Sequence, residues 1–118
     1  MDYENFCSKI LEDIPKARFA AVYDSWANRV AGGLRKGSQS LLSDRDENEL
    51  VNLAVINWKA RKDMSKTLGK TIYTLAEHEN VKRFSFYLGE DHMLQLSTEK
   101  DEDINVIVDK VIKLYHEN

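Results

Sequence analysis

Hydrophobic residues recur along this chain at two periods, and the switches between them mark out its elements. Phe6, Ile10 and Ile14 lie four apart, with Tyr3 and Leu11 beside them, the spacing of a short amphipathic helix over residues 2–13. Asp2 and Glu4 put negative charge where a helix N-terminus favours it, and Pro15 ends the run. From Ala17 to Tyr23 the chain alternates, yet both sides are apolar: Phe19, Ala21 and Tyr23 on one, Ala20 and Val22 on the other. That predicts a central strand covered on two faces. Asp24 to Asn28 supplies turn residues, and a second strand, Arg29 to Lys36, follows at hairpin distance. Its Gly32-Gly33 pair predicts a bulge or the close approach of another segment.

Gly37 to Ser43 reads as a loop, with Ser43 as an N-cap. Asp44, Asp46, Glu47 and Glu49 follow it, and Lys59, Arg61, Lys62 and Lys66 lie toward the other end, each group complementing the helix dipole. No Gly or Pro interrupts residues 44–68 and Gly69 is placed as a C-cap, so one helix of about six or seven turns is expected. Three strands follow at hairpin spacing, Lys70 to Glu77, Val81 to Leu88 and His92 to Thr98, as an antiparallel meander. Asp101, Glu102 and Asp103 open a last helix, with Ile104, Ile107, Val108, Val111, Ile112 and Tyr115 as its apolar stripe. The order αββαβββα, with helices for both faces of a five-stranded antiparallel sheet, is an α/β (α+β) fold, a three-layer α-β-α sandwich.

The middle helix carries more apolar surface than one sheet face needs. At 100° per residue, Leu50, Leu53, Ala54, Ala60, Met64 and Leu68 cluster on one side, with Val51, Val55 and Trp58 as a second stripe beside them. Small domains seldom leave such a strip in water, so the second stripe is expected to meet another molecule. Thr71 to Leu75 has strong strand propensity and no proline or charge to protect an edge; at a sheet edge, it invites pairing with a partner.

Composition narrows the field by exclusion. The 118 residues make one domain, 1–118, with 42% hydrophobic and 31% charged residues. A net charge of −3 lacks the basic footprint of a general nucleic-acid binder. The single Cys7 forms no internal disulfide, the N-terminal residues lack a signal-peptide core, and the longest apolar run, Phe19 to Tyr23, is too short for a membrane span. A cytoplasmic protein without membrane insertion is expected. His78, His92 and His116 match no metal-ligand spacing, and Cys7 has no identified base. Gly32 to Ser38 lacks the ending of a phosphate loop, and Glu99 to Asp103 lacks the ligand pattern of a calcium loop. No catalytic, cofactor or metal site is therefore expected. Trp26, in the first hairpin turn, is either folded back on the core or held out as an anchor.

The run Ala17 to Asp24 feeding Val30-Ala-Gly-Gly-Leu34, the long helix, Leu68-Gly69-Lys70 and the segment Asp101 to Tyr115 together resemble the roadblock (dynein-light-chain-like) family of profilin-like fold. The resemblance covers nearly the whole chain and is nearest to the small single-domain archaeal versions. It implies a homodimer in which long helices pack together and an edge strand pairs across the two-fold into one continuous sheet. It further implies a non-enzymatic regulatory or scaffold protein, a platform for a Ras-like small GTPase. By position, Val51, Val55 and Trp58 would lie on the dimer or GTPase-facing side, and Tyr73 and Leu75 on the pairing strand. The alternative is a small-ligand sensor domain of PAS or GAF type, which also places helical material between a hairpin and a meander. The uninterrupted 44–68 helix counts against it.

Overall fold

The Asp2 carboxylate accepts from the Asn5 amide, and the Ser43 hydroxyl accepts from the Asp46 amide; helices begin where these caps stand. The computed structural model describes residues 1–117. Its elements run α1 (Tyr3–Asp13), β1 (Ala17–Asp24), β2 (Arg29–Leu34), α2 (Asp44–Lys62), α3 (Ser65–Leu68), β3 (Tyr73–Glu77), β4 (Val81–Leu88), β5 (His92–Glu99) and α4 (Ile104–Glu117). All neighbours in the sheet are antiparallel, in the order β2-β1-β5-β4-β3. β1 is internal and buried on both faces, as its apolar alternation predicts.

Two layers of helix flank the sheet. Phe6 and Ile10 of α1 and Ile107, Val111 and Leu114 of α4 pack on Ala20, Val22, Phe84, Phe86, Leu94 and Leu96. Val51, Val55 and Trp58 of α2 pack on Phe19, Ala21, Tyr23 and Met93 across the sheet. This is the expected three-layer sandwich, with αββαβββα order.

The middle helix departs from expectation. It ends at Lys62 after 19 residues, and a separate turn, α3, takes up Ser65–Leu68 before Gly69, at φ 82°, redirects the chain. The Met64 amide donates to the Arg61 carbonyl at 3.0 Å, a tightened bond that closes α2. The reason is burial: beyond Trp58 no residue as far as Leu68 is buried, so packing no longer favours a straight continuation. β3 is also shorter than read from the sequence, beginning at Tyr73 instead of Lys70.

Gly32 and Arg35 join the hairpin to α1. At Gly32, φ is +81°, and a Cβ there would lie 2.2 Å from the Ala20 carbonyl oxygen and 2.8 Å from Cys7 Sγ. The close approach expected of the Gly-Gly pair is therefore real, and α1 is the approaching segment. Arg35 donates from Nε to the Ala17 carbonyl at 2.7 Å and from its guanidinium to the carbonyls of Ile14, at 2.9 Å, and Leu11. It supplies the positive charge that the last turn of α1 lacks. Gly32→Ala should cost about 3 kcal/mol in urea unfolding, since strain and overlap with fixed backbone combine; a loss within error would show that the β1–β2 hairpin can relax around the added methyl.

Candidate interaction surface

α2 is held to the sheet at both ends. Near its start, the Glu47 carboxylate accepts both Arg83 guanidinium nitrogens at 2.8 and 3.2 Å, with each side chain only 13% exposed. A bidentate pair so sheltered from water fixes register as well as attraction. Near its end, Trp58 stacks on Tyr87 with centroids 5.2 Å apart, and Lys62 Nζ lies 4.0 Å from the indole centroid. Between these pins Val51 and Val55 are buried.

This corrects the sequence expectation for Val51, Val55 and Trp58. They form the seat of α2 on β1 and β5, not a surface for another molecule. The face turned to solvent carries Leu53, 52% exposed, and Ile56, 63% exposed, with exposed Ala60 one turn on. Leu53 and Ala60 belong to the larger apolar cluster of the helix; Ile56 belongs to neither stripe. Its i+3 spacing from Leu53 is the local signal that places it on the same face.

β3 lies at the sheet edge, the condition under which its propensity matters. Tyr73 and Leu75 are half-buried and turn toward the α1/α4 layer, with the Tyr73 ring 5.6 Å from Phe86. Their side chains thus anchor the strand, and the unpaired edge it offers is backbone. On the other sheet face, α2 reaches β4 through Arg83 and Tyr87 and leaves β3 uncovered. An open groove of about 210 Å³ lies there, lined by Leu50, Leu53, Ala54 and Asn57 opposite Thr74 and Ala76. Its floor is polar and satisfied: Gln95 donates to Ser85 Oγ at 2.8 Å, and the Thr74 and Tyr87 hydroxyls share a bond of 3.3 Å.

Other candidates resolve individually. Cys7 is buried beside Gly32, and burial, reinforced by Glu4, pushes its thiol up to about 12. It is a neutral packing group at ordinary pH. The His92 ring lies 4.7 Å from that of Tyr3. Trp26 is held out, 79% exposed, with Lys59 Nζ 5.4 Å from its ring centroid. Its turn is fixed by the Asp24 carboxylate, which accepts from the Asn28 and Trp26 amides at 2.9 Å each. The Asn28 bond is the main cause holding that carboxyl below its usual range.

Residues 1–117 match the model of a family described as of unknown function, DUF6659. The chain belongs to that family. None of the curated proteins matches it. Among solved structures, this DUF6659 member is similar to a Roadblock/LC7 domain from Streptomyces avermitilis, with 12% identity over 99% of this chain and 94% of that one, TM-score 0.73. It is similar to Myxococcus xanthus MglB, with 13% identity over 99% and 91%, TM-score 0.74. Schizosaccharomyces pombe profilin matches at 10% identity over 98% and 95%, TM-score 0.67. These likenesses establish a profilin-like, roadblock-type fold for the DUF6659 chain.

Two measurements check the site. Val55→Glu should lose more than about 3 kcal/mol, because it buries an unpaired charge, whereas Ile56→Glu should leave the stability of the single chain within about 0.5 kcal/mol. Cys7 should react with a thiol reagent only as the protein unfolds. Because the folded thiol is raised above its unfolded value, its contribution is complete below the ordinary thiol range and is lost progressively as pH rises from there toward about 12. Rapid labelling of the native protein would contradict the burial.

Proposed function

We propose that this chain acts as a homodimeric, non-enzymatic regulatory scaffold in the cytoplasm, and that its partner is a Ras-like small GTPase. The observation that carries the proposal is the exposed stripe Leu53, Ile56 and Ala60 beside an unpaired, unprotected sheet edge at β3. Both features are costs to an isolated chain, and one two-fold operation removes both, by packing α2 on its copy and pairing β3 with β3. Tyr73 and Leu75 serve as anchors that keep the pairing strand flat on its own core.

Charge supports an antiparallel arrangement of the helices. The first turn of α2 holds Asp44, Asp46 and Glu47, and its last turn holds Lys59, Arg61 and Lys62. Head-to-tail pairing sets the acidic end of one helix near the basic end of the other, and parallel pairing opposes like charges. The GTPase rests on the roadblock-type fold and the residue pattern that resembles that family.

Light scattering on a sizing column is the direct test. The wild-type chain should run as two copies at micromolar concentration and Ile56→Glu as one, with unchanged circular dichroism. A monomeric wild type would remove the proposal's main support. For the partner, nucleotide-loaded lysate pull-downs should retain a small GTPase with wild type in one nucleotide state more than the other, and lose it with the monomeric variant.

A further inference from the structure

We infer that the C-terminal end of α2, together with α3 and the approach to β3, is a docking surface for an anionic lipid bilayer. In a chain of net charge −3, residues 59–72 hold Lys59, Arg61, Lys62, Lys66 and Lys70 against the single carboxylate of Asp63. Arg61, Lys62 and Lys70 converge on one cavity of about 310 Å³, which the hydroxyl residues Ser65 and Thr71 also line. Glu90 organises two of these cations: its carbonyl accepts from Lys62 Nζ at 2.8 Å and its carboxylate pairs with Lys70 Nζ at 2.5 Å. The other three cations have no carboxylate partner at salt-bridge distance among the described residues.

Large apolar side chains stand between these charges. Met64, Leu68 and Ile72 are 58%, 80% and 62% exposed, and Trp26 joins the patch through Lys59. None of them is used in the seat of α2, and none lies in the Leu53–Ile56–Ala60 stripe of the proposed dimer. Lysine and arginine interleaved with protruding aliphatic and indole groups is the chemistry that recognises an anionic membrane interface: the charges meet the headgroups and the apolar tips enter the acyl boundary. An acidic protein surface would match the charge but leave four apolar side chains unused. The acidic start of α2 and the Glu99 to Asp103 run lie at the opposite end of the sheet, so the field of an anionic surface also turns the molecule patch-first.

Co-sedimentation of the full chain with vesicles tests this, using phosphatidylcholine alone and phosphatidylcholine with phosphatidylserine in equal parts. Binding is expected to the mixed vesicles only, to fall as salt is raised, and to shift tryptophan emission to the blue as Trp26 enters the interface. Lys66→Ala should lower partitioning about fivefold, and Leu68→Ser should lower it as well. Both positions are exposed, so neither change threatens the fold. Lys113→Ala, exposed on α4, should have no effect, and Ile56→Glu separates this surface from the dimer. Absence of binding to the mixed vesicles, equal binding to both kinds, or binding indifferent to Lys66→Ala would each overturn the inference.

Discussion

A single helix covers one face of a five-stranded sheet whose other face takes two, and most of the molecule's character follows from that imbalance. α2 sits over β1 and β5, where Val51, Val55 and Trp58 meet Phe19, Ala21, Tyr23 and Met93. It reaches β4 through Arg83 and Tyr87 and has no width left for β3. The sheet answers with polar residues that satisfy one another there: Ser85 with Gln95, Thr74 with Tyr87, and Arg83 with Glu47 across to the helix. A buried polar ladder is tolerable only when every member is paired, and none of the described buried side-chain polar atoms lacks a partner. The Arg83–Glu47 pair therefore does more than attract. It also ties the start of α2 to β4 at the groove that Arg83 lines.

The architecture was largely legible in the residues, because burial on this sheet follows simple alternation. Phe84, Phe86 and Leu88 fall on one side of β4 and Arg83, Ser85 and Tyr87 on the other, as period two demands. Ser43 caps the start of α2 as its sequence predicts, whereas Gly69 caps the short α3 and not a continuous helix. The interaction surface was harder to read. A helical wheel shows two apolar stripes but not which one the sheet selects, and the larger cluster is not the buried one. Trp58 marks the choice: its indole stacks on Tyr87 of β4, some thirty positions along the chain. Long-range complementarity of this kind leaves no trace in local periodicity. Arg35 is another case, since a cation capping α1 from the far end of β2 looks in sequence like an ordinary solvated strand end.

The charges along α2 have more than one consequence. Acid at the start and base at the end stabilise the helix against its own dipole, which accounts for their presence without any partner. The same arrangement makes the helix electrically asymmetric, so its exposed face prefers a neighbour running the other way. Lys66 and Lys70, beyond that last turn, stay outside such a pairing and remain a source of positive field on a molecule that is acidic as a whole.

The break after Lys62 keeps these roles apart. Continued straight to Leu68, the helix would carry Met64 and Leu68 in line with Leu53 and Ala60, giving one long apolar stripe at i, i+7, i+11 and i+15. The tightened turn at Met64 ends the hydrogen bonding of α2 at Lys62, and Met64 and Leu68 belong to a separate short turn whose sequence neighbours are Arg61, Lys66 and Lys70. Leu53, Ile56 and Ala60 present a flat apolar strip of about two turns, suited to another helix. Met64, Leu68 and Ile72 become isolated tips surrounded by cations, too scattered to pack against a helix and suited to a deformable, negatively charged surface.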